Sequence, residues 1–361
     1  PDVADVRPAE ASVSRAEGGE ALTLESFGFD VPADVIGAAA EQRLREDAAH
    51  GRPLPPGVMP AGAAPVFSFE DFEPDSLPPR PSLGDYDLHS EVRRGGVGAL
   101  WKARHVASDR AVVVRIFETA HANREITDRF LGAVDELLGI EHRRLVPMEV
   151  AGRDGDSIFI ASEGFEARTL ARYLRVQTEV LALDRAVDFV LQILAGLSFM
   201  HSRGLVHGDL RPENILIAQD GDVPDLRITE PGLTLAMVRG GLFGRDPWTL
   251  YSGAVAWMAP ELADDPSAVT VASDLFMVGG LLQLLLSEVP PRALPEIIEN
   301  PATSLRLVPT TPMTWIAPNS PVDMVAVLDK ALAPDPSQRF ASAAEMSEAL
   351  DRALMRAQAT G

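Results

Sequence analysis

The chain has 361 residues, 46% of them hydrophobic, and a formal net charge of −21 from 32 Lys and Arg against 53 Asp and Glu. That length accommodates one large bilobal domain or two smaller ones and a sizeable buried core. The acidity argues against nucleic-acid binding, which needs clustered Lys and Arg, and the lack of any cysteine excludes disulfides, thiolate zinc sites and cysteine nucleophiles.

Residues 1–84 differ in texture from the rest, with fifteen acidic against six basic residues and twelve prolines. Arg52 to Gly57 reads as an extended linker. Pro32 to His50 predicts one short helix, with proline at its start and Gly51 at its close. Phe67, Phe69 and Phe72 alternate with acidic residues. The extension is either a solvated tether or a tail that docks on the adjoining domain or on a partner.

From Tyr86 the pattern becomes that of a folded domain. Val92, Leu100 and Val112–Phe117 predict short strands around a glycine turn, and Ile158–Ala161 another strand. Phe130–Leu138 has helical spacing, and helices are expected over 186–201, 274–288, 321–332 and 343–356. A small strand-rich part (85–166) followed by a larger helical part (167–356) is an α+β, two-lobe arrangement. The longest apolar run, Leu275–Leu286, would span roughly 18 Å as a helix, short of the ~30 Å hydrocarbon core, so a buried helix is expected and no membrane span.

Several short motifs then fall in one order: Arg93-Arg94-Gly95-Gly96-Val97-Gly98 between two strands, His207 to Asn214 after a long amphipathic helix, Ala259-Pro260-Glu261, Asp274 at the head of an apolar helix, and Arg339 after Asp335-Pro336. Together they resemble the signature set of eukaryotic-type protein kinases, in texture closest to the bacterial Ser/Thr members. The resemblance spans about Asp85 to Leu354 and implies a bilobal kinase-like fold.

It also implies a division of labour at an ATP cleft, and the chain departs from it at several points. Phosphoryl transfer depends on holding ATP and metal in line with an acceptor hydroxyl. The glycine loop matches at Gly95 and Gly98, but Arg93 stands where the first glycine is expected, impairing close backbone approach or else lying exposed. Arg115 falls at the phosphate-gripping lysine, a planar fork in place of a point charge, and Val113 replaces a smaller adenine-facing residue. Ala133 falls at the glutamate that would pair with that lysine; Glu136, one turn on, is a possible substitute. Glu163 falls in the cleft region. Lys102 is either a replacement lysine or a solvent-facing strand residue.

The resemblance places a metal ligand at Glu230, in Glu230-Pro231-Gly232, where an aspartate is expected. The extra methylene displaces its carboxylate from the usual ~2.0–2.1 Å magnesium geometry. Asp209 matches the catalytic base and Asn214 the second metal ligand; either they act chemically, weakly, or they hold the loop by hydrogen bonds. Arg211 replaces a lysine and Gly208 an arginine. The scaffold residues all match: Glu261 and Arg339 as a buried ion pair, and Asp274 as a cap on the catalytic-loop backbone. The expectation is a catalytically impaired or inactive kinase-like domain, without cofactor, that binds protein partners through its lobes and its extension as a scaffold or regulatory subunit. The alternative is an unconventional Ser/Thr kinase or nucleotide-binding switch using ATP and magnesium. A cytoplasmic location is expected, free or tethered to a membrane or large assembly through other sequence.

Overall fold

A computed structural model describes residues 83–360, apart from 96–97, 118–122, 156, 178–179, 221–222, 243–247, 249–250, 252 and 293–300. The acidic extension up to residue 82, with its expected helix over 32–50, lies outside the described residues.

The smaller lobe is built on a five-stranded antiparallel sheet in the order β1-β2-β3-β5-β4, from β1 (Tyr86–Gly95), β2 (Gly98–His105), β3 (Ala111–Phe117), β4 (Met148–Asp154) and β5 (Ser157–Glu163). β-Branched residues favour the central strand β3, Ala-Val-Val-Val-Arg-Ile-Phe. Period-2 alternation sends Val112, Val114 and Ile116 into one apolar cluster with Leu88, Ala99 and Trp101. The other face carries Arg115 and Phe117; Arg115 sits opposite Leu100 of β2 and Ile160 of β5.

Helix α1 (Arg124–Asp135) packs on that second face. It starts earlier than its apolar spacing suggests, because the Asn123 side chain accepts from the Ile126 N–H at 2.9 Å and caps it. Phe130 and Val134 are fully buried, and Phe130 meets Phe117 edge-on at 5.3 Å.

The larger lobe is helical. A small antiparallel sheet of β6 (Arg168–Thr169), β7 (Ile215–Asp220) and β8 (Val223–Ile228) is joined by α2 (Leu170–Arg175), α3 (Leu183–His201), α4 (Leu233–Gly240), α5 (Val271–Ser287), α6 (Pro301–Leu307), α7 (Met313–Ile316), α8 (Val322–Ala331) and α9 (Ala343–Thr360). One apolar cluster runs through this lobe, from Phe189 and Leu197 of α3 to Phe276 and Leu282 of α5 and Met346 of α9. As its composition predicts, α5 is buried nearly all round. Thr270 and Ser273 close a reciprocal capping box at its start.

Helix α4 begins directly after Glu230-Pro231-Gly232 and was not expected from the sequence. Gly232 supplies a left-handed residue (φ 74°) that starts it, and Gly241 (φ 69°) ends it. A Cβ at Gly232 would lie 3.1 Å from Leu137 and 3.3 Å from the Val206 carbonyl. Leu233, Ala236 and Met237 share an apolar cluster with Phe130, Val134 and Leu137 of the α1 region. The two helices are so close at Gly240 that a Cβ there would sit 2.8 Å from the Phe130 Cα.

Candidate active-site cleft

The side chains singled out by the motifs converge between the lobes, but in an arrangement the motifs do not specify. Arg115 is 5% exposed, and its Nε donates to Glu230 Oε1 at 2.7 Å while a terminal nitrogen reaches the same oxygen. The pair links β3 to the residue just ahead of α4, across 115 positions of sequence. Glu230 adopts a left-handed backbone (φ 55°), a conformation uncommon for a residue with a Cβ. Burial alone would raise its carboxyl pKa; Arg115 and Arg93 more than offset that and hold it below the ordinary carboxylate value.

Arg93 is the third member of this group. It projects from β1 into the same cleft, where burial pushes its guanidinium down and Glu230 pulls it back up. Arg115, Arg211 and Glu213 are its other charged neighbours. The place where a glycine would let backbone approach phosphate thus holds a cation facing a carboxylate of the same chain.

No ion pair forms between α1 and β3 among the described residues. Ala133 is partly buried against the α1–α4 cluster, and Glu136 is exposed at the C-cap of α1, so it does not stand in for the missing glutamate. Lys102 is exposed on β2, opposite Ser90 and Val113, outside the cleft network. Glu163 ends β5 with its side chain 43% exposed and 3.4 Å from Arg227 of β8, so it ties the lobes at their edge. Gly98 has φ 116°, a conformation open chiefly to glycine.

The catalytic-loop residues are tightly held. Asp274, fully buried, accepts from the N–H groups of His207 (2.8 Å) and Gly208 (2.9 Å), and His201 Nε2 lies 2.9 Å from it. This is the backbone cap expected of it. His207 Nδ1 accepts from the Asp209 N–H at 3.2 Å, which leaves Nε2–H to donate to the Thr229 carbonyl at 2.9 Å. Asn214 Nδ2 donates to both the carbonyl (2.8 Å) and the carboxylate (2.9 Å) of Asp209. Thr234 of α4 donates to that carboxylate at 3.4 Å. Arg211 lies 3.3 Å from the other Asp209 oxygen and donates to the Gly253 carbonyl at 3.0 Å. Burial disfavours the Arg211 charge, but Asp209, Glu213 and Glu230 together raise its pKa above the usual value.

Further out, Arg339 forks onto Glu261 with two contacts of 2.7 Å and also donates to the carbonyls of Ala272, Ala333 and Pro334. This is the buried pair the sequence predicts.

The donor set gives a mixed answer on magnesium. One oxygen of Asn214 is buried without a hydrogen-bond partner, as a cation ligand would be, whereas the Asp209 oxygen not engaged by Asn214 faces Arg211. The remaining expected donor, Glu230, is taken by Arg115. Among the described residues no group of three or more His, Cys, Asp or Glu is placed to hold a metal ion. So arranged, the cleft does not fit a magnesium ion on Glu230.

Comparison with known proteins agrees with the fold. A family model described as a protein kinase domain matches residues 86–352. The chain is 30% identical over 203 residues to the serine/threonine-protein kinase PknL of Mycobacterium tuberculosis, covering 56% of this chain and 49% of PknL. It is 28% identical over 208 residues to the probable serine/threonine-protein kinase PknB of Lactococcus lactis, covering 57% and 32%. Against PrkC of Bacillus subtilis it is 25% identical over 264 residues, covering 73% and 39%. The chain therefore spans between a third and a half of the length of these relatives. The crystal structure of the M. tuberculosis PknI kinase domain superposes with a TM-score of 0.58, at 18% identity, over 77% of this chain and the whole of that one. With its family model matched from β1 through most of α9, the chain belongs to the protein kinase domain family.

Proposed function

We propose that this chain is a pseudokinase: a kinase-fold domain that works by binding protein partners and not by phosphoryl transfer. The observation that carries the reading is the Arg115–Glu230 ion pair with Arg93 beside it. The residue expected to grip phosphate and the residue expected to hold metal neutralise each other, so a nucleotide would have to break a largely buried pair to bind. Packing supports the same reading. With α4 seated on α1, the position for a pairing glutamate is an alanine beside an apolar cluster, and a carboxylate placed there would be poorly solvated. Val322 and Met355, beside the Asp323–Arg356 pair joining α8 to α9, are 80% and 61% exposed and are places a partner would cover.

One observation favours a second reading, an unconventional kinase or nucleotide-binding switch. The unpartnered buried oxygen of Asn214 would gain a partner if a cation entered with the Arg115–Glu230 pair opened. Titration calorimetry with ATP and Mg2+, paired with a phosphotransfer assay using Asp209→Asn as control, separates the two. The pseudokinase reading expects neither binding heat nor turnover. Turnover lost in Asp209→Asn would overturn it, and binding heat without turnover would favour the switch.

A further inference from the structure

Away from the cleft, the turn ahead of β4 meets the outer face of α3 in a concentration of positive charge unusual for so acidic a chain. His142, Arg143 and Arg144 face Leu191, Gln192 and Ala195 across a cavity of about 250 Å3. That volume is below the roughly 300–1,000 Å3 of small-molecule sites, so it suits one or two side chains and not a cofactor. The His142 ring stacks on Phe199 at 4.6 Å, and the Arg203 guanidinium lies 3.7 Å from the same ring centre. Burial and the three arginines together keep His142 below its ordinary pKa.

Of the acids nearby, Asp225 and Asp188 are already engaged, while Glu141, next to His142 in sequence, is exposed. Asp225 pairs with Arg144 and Arg227, and Asp188 accepts from Gln192. Arg143 is exposed, and neither it nor Arg203 has an ion-pair partner among the described residues. The pocket thus presents the exposed Arg143 guanidinium at a small cavity, with Arg203 beside it on the Phe199 ring that His142 also covers.

We propose that this pocket is the docking site of the chain's own acidic–aromatic segment Phe67–Asp75. Glu70, Asp71, Glu73 and Asp75 lie there among Phe67, Phe69 and Phe72, with no basic residue from 66 to 79. The tether is long enough. The Gly84 N–H donates to Asp154 Oδ2 at 2.7 Å, which anchors the start of the folded domain at the end of β4. From Asp154 back to Met148, β4 covers roughly 20 Å, and the His142–Leu145 turn lies directly ahead of Met148. The eleven residues from Gly84 back to Glu73 reach roughly 36–40 Å when extended. Exposed ion pairs are individually weak. A free peptide would dissociate, whereas a short tether supplies an effective concentration on the order of millimolar. That favours the segment in cis over a separate acidic protein.

The absence of native cysteine makes the test direct. Nitroxide labels on Ser68→Cys and Ser202→Cys in the full chain report the distance from the segment to the pocket edge by pulsed electron resonance. A narrow short-distance population, independent of protein concentration, is expected. Arg143→Glu, a change at an exposed residue, should cut it by about threefold or more. Combining it with Glu70→Arg, Asp71→Arg and Glu73→Arg should restore it. A uniformly broad distribution, a short distance indifferent to Arg143→Glu, or one that grows with protein concentration and so comes from a second copy would each overturn the proposal.

Discussion

Glu230→Gln removes one charge from the centre of the cleft and strands the other. Arg115 is 5% exposed and has no second ion-pair partner among the described residues. Its other close charge, Arg93, is a repelling one. Breaking one side of a fully buried pair typically costs about 3–5 kcal/mol. The Glu230 side chain keeps 19% of its exposure, which argues for the lower end, about 3 kcal/mol. For a domain of this size that corresponds to a fall in Tm of roughly 6–12 °C. Arg115→Met should cost less, because Arg93 remains to compensate Glu230. The double variant should lose less than the sum of the two by about 1 kcal/mol or more, the signature of a coupled pair. Calorimetric melts of the four proteins give the cycle. The pH dependence has a definite sign: the folded-state pKa of Glu230 is lowered from 4.5, so its stabilisation is complete above that value and is lost as pH falls through the folded value. Acid should therefore lower the Tm of the wild type more than that of Glu230→Gln. A Glu230→Gln protein that melts with the wild type, or strictly additive effects, would refute the reasoning.

Restoring a family residue should not rescue the site: Ala133→Glu sets a carboxylate against the α1–α4 cluster and should cost about 1–3 kcal/mol in a denaturant melt. If that variant is as stable as the wild type, α4 does not hold its place against α1. Gly240→Val tests the same contact from the other side, since its Cβ would meet the Phe130 backbone at 2.8 Å; a loss of about 1–3 kcal/mol and faster amide exchange along α4 are expected. Arg339→Met leaves Glu261 and three carbonyls without their donor and should cost about 3–5 kcal/mol, read as loss of soluble expression or of a cooperative melt.

The scaffold was legible because its signals are local. The strand β3 shows in its β-branched run, α3 and α5 in their apolar residues, and the roles of Asp274, Glu261 and Arg339 in an ordered series of motifs that fixes one chain trace. The cleft was only half legible. Sequence comparison gives Arg115, Ala133 and Glu230 as separate departures, each weakening one function. That two of them pair depends on where β3 and the segment before α4 meet in space, and no short-range pattern carries that information. Nor does Leu233–Val238 reveal itself: a six-residue stretch of mostly apolar residues suits a buried strand as well as a helix, and the glycines at 232 and 241 are the one hint of a helix bounded at both ends. Arg93 shows the same limit. An arginine in a glycine turn reads either as an obstacle to phosphate or as an exposed loop residue, and its place beside Glu230 follows from the fold that brings β1 to the cleft.

Asp209 and Asn214 taken alone argue for retained chemistry, but their contacts supply a sufficient reason of another kind. Asp274 fixes the backbone of His207 and Gly208, His207 bridges the Asp209 N–H and the Thr229 carbonyl, and Asn214 ties its own turn to Asp209. The Asn214 carbonyl in turn accepts from the Thr229 N–H at 2.9 Å. Thr229 immediately precedes Glu230, so this relay sets the backbone position from which Glu230 reaches Arg115. A protein using the loop only as a clamp needs the same side chains as one using it as a base. The two readings therefore part at the Arg115–Glu230 pair: a kinase must open it to admit a nucleotide and its metal, and a clamp keeps it closed.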